Sequence, residues 1–405
     1  MDKKSFRQAG HTPTLLAAFL YFDLAFMVWV LLGPLGVGIA RDLGLSHAKK
    51  GLMVATPVLA GALLRIVMGI LVDRLSPKKA AIIGQVIVIA AMAYAWLAGV
   101  HSYGEVLALG LFLGVAGASF AAALPLASRW YPPEHQGKAL GIAGAGNSGT
   151  VLAALFAPGL ANAYGWTNVF GLSLLALVPV FLLYLAMAKD SPECPPPKPF
   201  SDYLKILRDK DAWWFMFFYS VTFGGFVGLA SSLSIYFNDQ YGLDPVMAGY
   251  FTAACVFAGS LVRPLGGALA DRIGGIRTLS IMYSLAVTFL VVVSFGMPTK
   301  ELALAVFVLA MLALGFGNGA VFQLVPQRFR KEIGVMTGLV GMAGGIGGFY
   351  LASSLGYVKQ ITGDYQLGFL IFAALGALAL IGLTRIKTRW RTTWGAVAIT
   401  GGARI

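Results

Sequence analysis

Apolar positions along this chain come in runs, without the alternation of a half-buried strand or the single stripe of a surface helix. Runs of about 18 residues or more recur over nearly the whole length, and each can cross a bilayer as a helix. They predict twelve helices, at 14–38, 48–73, 78–99, 104–128, 137–163, 166–188, 211–238, 246–271, 276–297, 301–325, 332–358 and 365–386. Because the runs are continuous, a membrane β-barrel is disfavoured. The first run follows Lys3, Lys4 and Arg7. It is too long for a leader core and lacks a small-residue cleavage site, so it reads as the first spanning helix. The fold class is therefore an all-α membrane protein.

Composition agrees, with 405 residues, 58% hydrophobic and only 12% charged, where a soluble domain is nearer a quarter charged. A net charge of +13 would point to nucleic acid in a soluble protein. Here topology accounts for it. With both termini in the cytoplasm, only Arg41, Lys49, Lys50, Lys300 and Lys359 fall outside and two arginines fall in the membrane, while all other Lys and Arg lie inside. That bias sets the orientation in the cytoplasmic membrane, and no nucleic-acid partner is expected. Cys194 and Cys255 show no metal spacing or disulfide logic, and His11, His47, His101 and His135 fall in loops or tails. No cofactor, metal site or catalytic residue is expected.

The longest interval between helices holds Pro192, Pro195, Pro196, Pro197 and Pro199, then a charged stretch from Ser201 to Asp211. It reads as a cytoplasmic linker, 191–210, between six-helix bundles at 1–190 and 211–386, with a tail at 387–405. Trp213 and Trp214 follow it as an interfacial anchor. The tail begins with Lys387, Arg389 and Arg391 and reads as a contact with the membrane surface.

Two features repeat at one offset. Arg65 and Arg263 are 198 residues apart, and so are Asp73 and Asp271. A fixed offset across a central linker marks a duplicated unit, and two repeats with a site between them at mid-membrane are a recurring transporter plan. The loop after helix 2 reads Gly69-Ile-Leu-Val-Asp73-Arg74-Leu-Ser-Pro-Lys78-Lys79. The loop after helix 8 reads Gly267-Ala-Leu-Ala-Asp271-Arg272-Ile-Gly-Gly-Ile-Arg277. Both resemble the Gly-x-x-x-Asp-Arg loop of the major facilitator superfamily, the first departing with Ser76-Pro77 where glycine is usual. The resemblance covers essentially the whole chain. It implies twelve helices in two bundles related by a pseudo-two-fold axis. It also implies a role for Asp73, Arg74, Asp271 and Arg272 in bracing helix ends and in conformational switching.

Arg65 and Arg263 lie about 12 Å deeper than these loops at ~1.5 Å rise per residue, too deep to snorkel easily. A charge at that depth costs about 3 kcal/mol or more. A guanidinium stays charged and offers a planar fork of donors, which suits a small planar oxyanion. The bland reading is that each arginine satisfies helix carbonyls or pairs with an acid. Within the helices the only acid is Asp23, which could serve one arginine and leave the other bare.

Helix 5 begins Gly141-Ile-Ala-Gly144-Ala-Gly146-Asn147-Ser-Gly149, and helix 11 contains Gly341-Met-Ala-Gly344-Gly345-Ile-Gly347-Gly348. Such glycines more often serve helix packing alone. Beside paired arginines they resemble the two signature stretches of the nitrate/nitrite porter family. The resemblance implies that Arg65 and Arg263 clamp the substrate and that Asn147 and Tyr219 hydrogen-bond near it. It further implies that Phe120 and Phe223 line the site. Taken singly, each aromatic would more often face lipid or core.

The expected partners are therefore nitrate, nitrite and protons, in a lipid bilayer, with a monomeric carrier. The function expected is nitrate/nitrite transport by alternating access. Antiport, or carriage of formate or oxalate, is the alternative. Proton symport is favoured because Asp23 is the one acid at depth that could compensate the arginines and take up a proton. A membrane enzyme is disfavoured by the lack of a catalytic cluster, and a sensor by the lack of a soluble output segment.

Overall fold

The computed structural model describes residues 6–192, 200–329, 332–396 and 405. Lys3, Lys4, Cys194, Pro195, Pro196, Pro197, Pro199 and tail residues 397–404 lie outside the described residues. Among those described there are helices and turns and no strand.

Twelve helices are long and apolar enough to cross a membrane. In chain order they are α1 Thr12–Trp29, α2 His47–Arg74, α3 Pro77–Ala98, α4 Tyr103–Ser128, α5 Ala139–Tyr164 and α6 Trp166–Met187. The second half has α7 Lys210–Tyr241, α8 Pro245–Ile273, α9 Gly275–Ser294, α10 Lys300–Arg328, α11 Ile333–Thr362 and α12 Gln366–Thr392. A short helix, Phe200–Ile206, lies before α7.

One predicted boundary differs. The first run was expected to be helical through 38, but α1 stops at Trp29 and a separate helix, Gly36–Asp42, follows a turn. Pro34 has no N–H to continue the ladder. Gly33 also lies so close to α7 that a Cβ there would meet the Ser231 carbonyl oxygen at 2.5 Å.

Three helices contain breaks that apolar periodicity does not reveal. In α4 the ladder tightens at Ala118 and Ser119 before resuming at Phe120. In α5 a 3-10 turn, Ala145–Ser148, interrupts the helix. In α8 the break is at Val262, whose N–H turns back to the Ser260 carbonyl. Pro264, second in the next helical segment, cannot supply the N–H that Ser260 would otherwise take.

The Asp-Arg turns lie at one end of the bundle. Asp73 pairs with Arg129 at 3.6 Å, tying the end of α2 to the end of α4. Arg74, Asp271 and Arg272 lie exposed at the same end. Ser76 takes φ 154°, a left-handed conformation, and Gly274 at the repeat position takes φ 95°. The backbone there favours glycine, which is the physical content of the sequence departure at Ser76. In the second half, Arg328 of α10 bonds Asp209 and Asp211, and Arg389 and the Trp390 indole N–H of α12 also reach Asp211.

The two halves meet at the opposite end. A Cβ on Gly51 would fall 2.8 Å from the Gly356 Cα, and one on Gly249 would fall 2.6 Å from the Ala154 carbonyl. Toward the Asp-Arg end, Gly141 and Gly144 of α5 and Gly334 and Gly338 of α11 have open space beside them. The halves are thus in close contact at one end, while these four glycines of α5 and α11 face open space at the other.

Candidate functional site

All three helix breaks fall at one level of the bundle, and each places a residue there. Arg65 is 2% exposed, an arginine buried at the centre of a membrane protein. Its Nε donates to the Gly117 carbonyl at 3.2 Å. The α4 break explains that acceptor. The Ala121 N–H bonds Ala118 in place of Gly117, which leaves the Gly117 oxygen free. Arg65 Nη1 donates to the Gly341 carbonyl of α11, in the other half. Nη2 has no hydrogen-bond partner. Around the guanidinium stand the rings of Trp29, Phe120 and Phe223, with centroids at 5.4, 5.4 and 5.2 Å. Ring faces attract a cation, and more so when water is excluded.

Arg263 starts the second segment of α8. Its guanidinium lies 5.9 Å from the Phe120 ring and 5.3 Å from the Phe322 ring. It lies beside the Tyr219 hydroxyl, and its Nη1 is buried without a partner. The two guanidinium charges are close enough to repel each other. Among the described residues, no carboxylate pairs with either arginine.

The aromatic walls are continuous. Tyr219 stacks on Phe223 at 5.1 Å and 3°, and Phe223 stacks on Trp29 at 6.5 Å and 14°. Phe322 meets Tyr219 edge-on at 5.0 Å and Phe120 at 6.1 Å. Trp29 is fixed by its indole N–H, which donates 2.7 Å to the Pro57 carbonyl.

Asn147 sits in the 3-10 turn of α5, 2% exposed. Its backbone carbonyl accepts from Thr150 at 2.7 Å and from Ser260 at 3.5 Å, the latter just before the α8 break. Its side-chain Oδ1 has no partner. A buried amide oxygen left unmet is costly; toward an anion the group that donates is the Nδ2 amide, which a flip of the side chain exchanges with the oxygen.

The glycines divide by role. A Cβ on Gly341 would come 3.3 Å from Arg65 Nη1, and one on Gly344 would strike Tyr219 at 2.6 Å. These two shape the site. Gly345, Gly347 and Gly348 admit Ala62, the Ser220 backbone and Val227, while Gly146 and Gly149 admit α1. Gly141 and Gly144 touch nothing. They stand at the open end, away from the arginines.

Asp23 is placed elsewhere than the coupling expectation requires. Its carboxylate accepts the Ser148 hydroxyl at 2.6 Å. It bonds α5 and neither arginine. The residues that sequence reasoning missed are Trp29 and Phe322. Phe322 follows a glycine-rich run, Gly317-Asn-Gly-Ala-Val-Phe322, much as Phe120 follows Gly117-Ala-Ser. That likeness was a usable signal. Trp29, in the interior of the predicted first helix, had none.

Known proteins resemble this chain over most of its length. The sequence model described as Major Facilitator Superfamily matches residues 15–352. The "Probable nitrate/nitrite transporter NarK2" of Mycobacterium tuberculosis is 34% identical over 377 residues, covering 91% of this chain and 95% of that one. The chain belongs to the nitrate/nitrite porter family of the major facilitator superfamily. The "Nitrite extrusion protein" of Bacillus subtilis is also 34% identical, over 359 residues, covering 88% of this chain and 90% of that one. Among solved structures, a bacterial homologue of the human lysosomal transporter Spinster has a TM-score of 0.67 at 18% identity, covering 95% of this chain and 98% of that one. At that identity the likeness concerns the fold. The family makes this chain a multi-pass membrane transporter and not an enzyme.

Proposed function

We propose that this protein carries nitrate and nitrite across the cytoplasmic membrane by alternating access, with Arg65 and Arg263 as the anion clamp. The observation that carries the reading is a pair of guanidinium groups, that of Arg65 buried and that of Arg263 half-buried, each with a buried unpartnered nitrogen and, among the described residues, neither with a carboxylate. A small planar anion supplies both the missing charge and the missing acceptors. Asn147 and Tyr219 add directional donors. Phe120, Phe223, Trp29 and Phe322 exclude water and favour a weakly hydrated ion. The relatives named for nitrate and nitrite support the same choice.

The positive-inside bias puts both termini and the Asp-Arg turns in the cytoplasm. The open end is then cytoplasmic, and the structure is inward-facing. Residues 1–190 and 211–386 are the two rocking halves, joined by 191–210 and followed by the tail 387–405. Asp73, Arg74, Asp271 and Arg272 brace the cytoplasmic helix ends as the halves move.

The geometry favours exchange of nitrate for nitrite. Two guanidinium charges repel in the empty cavity, and only the anion relieves this, so the loaded carrier is the form that reorients. The second reading is proton symport through Asp23, a buried acid adjacent to the α5 break. Purified protein in liposomes decides between them. Nitrate uptake should require trapped nitrite and ignore an imposed proton gradient. Uptake driven by the proton gradient alone would establish symport. Transport of formate or oxalate, with none of nitrate or nitrite, would overturn the substrate.

A further inference from the structure

We propose that Asp23 is a positioning residue that holds the break in α5 so that Asn147 stays in the anion site. The proposal rests on the anion-carrier reading and deepens it.

Asp23 contacts the two residues that follow Asn147. Its carboxylate accepts the Ser148 hydroxyl at 2.6 Å. The Gly149 N–H itself turns back to the Gly146 and Asn147 carbonyls, and the carboxylate sits near the positive end of the helical segment Gly149–Tyr164. The backbones are pressed together at the same point. A Cβ on Gly149 would fall 1.7 Å from the Asp23 carbonyl oxygen, and one on Gly146 would fall 2.9 Å from the Asp23 nitrogen. Glycines thus flank Asn147-Ser148 on both sides and let α1 lie directly on the break.

The result is a tight frame around the Asn147 side chain, whose amide NH2 is the donor an anion would take. The Asn147 carbonyl is taken by Thr150 and Ser260, while its Oδ1 has no partner. The neighbouring Phe22 reaches the Phe120 ring at 5.9 Å, so this part of α1 also borders the arginine site. An acid that spends its lone pairs on the turn fixes the turn's geometry and leaves the arginines for the substrate.

The variants separate positioning from proton carriage. In Asp23→Asn the amide oxygen can still accept the Ser148 hydroxyl. Asp23→Ala loses that bond. In liposome exchange, Asp23→Ala should raise the nitrate KM about tenfold, the worth of one lost hydrogen bond, with kcat changed less. Asp23→Asn should stay close to wild type with an unchanged pH profile. In an Asn147→Ala background, Asp23→Ala should add nothing to KM. A second readout needs no substrate. Asn147→Cys, in a Cys194→Ser background, should react slowly with a thiol reagent. It should react several-fold faster with Asp23→Ala and no faster with Asp23→Asn.

Loss of transport in Asp23→Asn together with loss of pH dependence would overturn the proposal in favour of proton carriage. A fall in kcat with unchanged KM, additive with Asn147→Ala, would make Asp23 merely structural, as would equal labelling rates in all three backgrounds. If wild-type protein moves neither nitrate nor nitrite, the carrier reading fails, and the labelling rates still decide the role of Asp23.

Discussion

Lys50 of α2 grips Asp239 of α7 through both carboxylate oxygens, at 2.9 and 2.8 Å. His47 Nδ1 lies 3.1 Å from Asp239, and the Tyr365 hydroxyl donates to it at 2.8 Å. The Lys50 and Asp239 side chains are only 13% and 11% exposed. This network joins the two halves at their closed end, so it must open whenever the site faces that side. Removing one partner leaves a largely buried charge unpaired. Asp239→Asn should therefore shift the population toward the state open at this end. The distance between spin labels on Arg41→Cys and Lys300→Cys should lengthen, and the swap Lys50→Asp with Asp239→Lys should restore part of the closure. An unchanged distance distribution in Asp239→Asn would show that the pair does not latch the halves.

Arg65→Lys and Arg263→Lys should each fold and each lose transport. Lysine keeps the charge but cannot span the Gly117 and Gly341 carbonyls and still present a free nitrogen. The expected loss in exchange rate is about a hundredfold, or ~2.7 kcal/mol. Melting temperature in detergent checks folding, and liposome exchange checks function. Near wild-type exchange in both variants would remove the clamp from the mechanism.

Two glycines of the same stretch should behave oppositely. At Gly149 a Cβ would meet the Asp23 carbonyl oxygen at 1.7 Å, backbone against backbone. Gly149→Ala should cost about 2 kcal/mol or more of stability, the range of overpacked cores. At Gly141 the space is open, and alanine is the better helix former by about 1 kcal/mol. Gly141→Ala should melt no lower than wild type yet exchange nitrate more slowly, because this surface closes against the other half in the opposite state. Wild-type exchange by Gly141→Ala would mean that no such closure occurs there.

Much of this fold is legible because membrane burial writes itself into sequence as long apolar runs, and duplication writes itself as a repeated offset. The arginines stand out for the same reason, since a charge at depth has few bland explanations. The breaks at Ala118, Ala145–Ser148 and Val262 do not stand out. They sit inside apolar runs whose periodicity hides them, although Pro264 marks the last, and at the first the ladder yields to a tertiary contact, Arg65 on the Gly117 carbonyl. Asp23 illustrates the other limit. Sequence placed an acid at the depth of the arginines but could not say which way it faces, and the structure turns it to Ser148. Phe322 and Trp29 were hidden among many aromatics in apolar runs, where only packing separates a site wall from a lipid-facing ring.

Phe120 should matter more than Phe322, although both are phenylalanines beside an arginine. The Phe120 centroid lies 5.4 Å from the Arg65 guanidinium and 5.9 Å from that of Arg263, so one ring faces both charges. Phe322 faces only Arg263, at 5.3 Å. A ring over a desolvated cation contributes about 2 kcal/mol, and a leucine of similar bulk keeps the wall but not the quadrupole. Phe120→Leu acts on both sides of the anion, and the two guanidinium groups then repel with less between them. Phe322→Leu acts on one side and leaves Tyr219 to hold Arg263. Nitrate affinity, measured by quenching or calorimetry on purified protein, should fall more in Phe120→Leu than in Phe322→Leu. Equal affinity in wild type and Phe120→Leu would show that the ring serves packing and that its contact with the two charges is incidental.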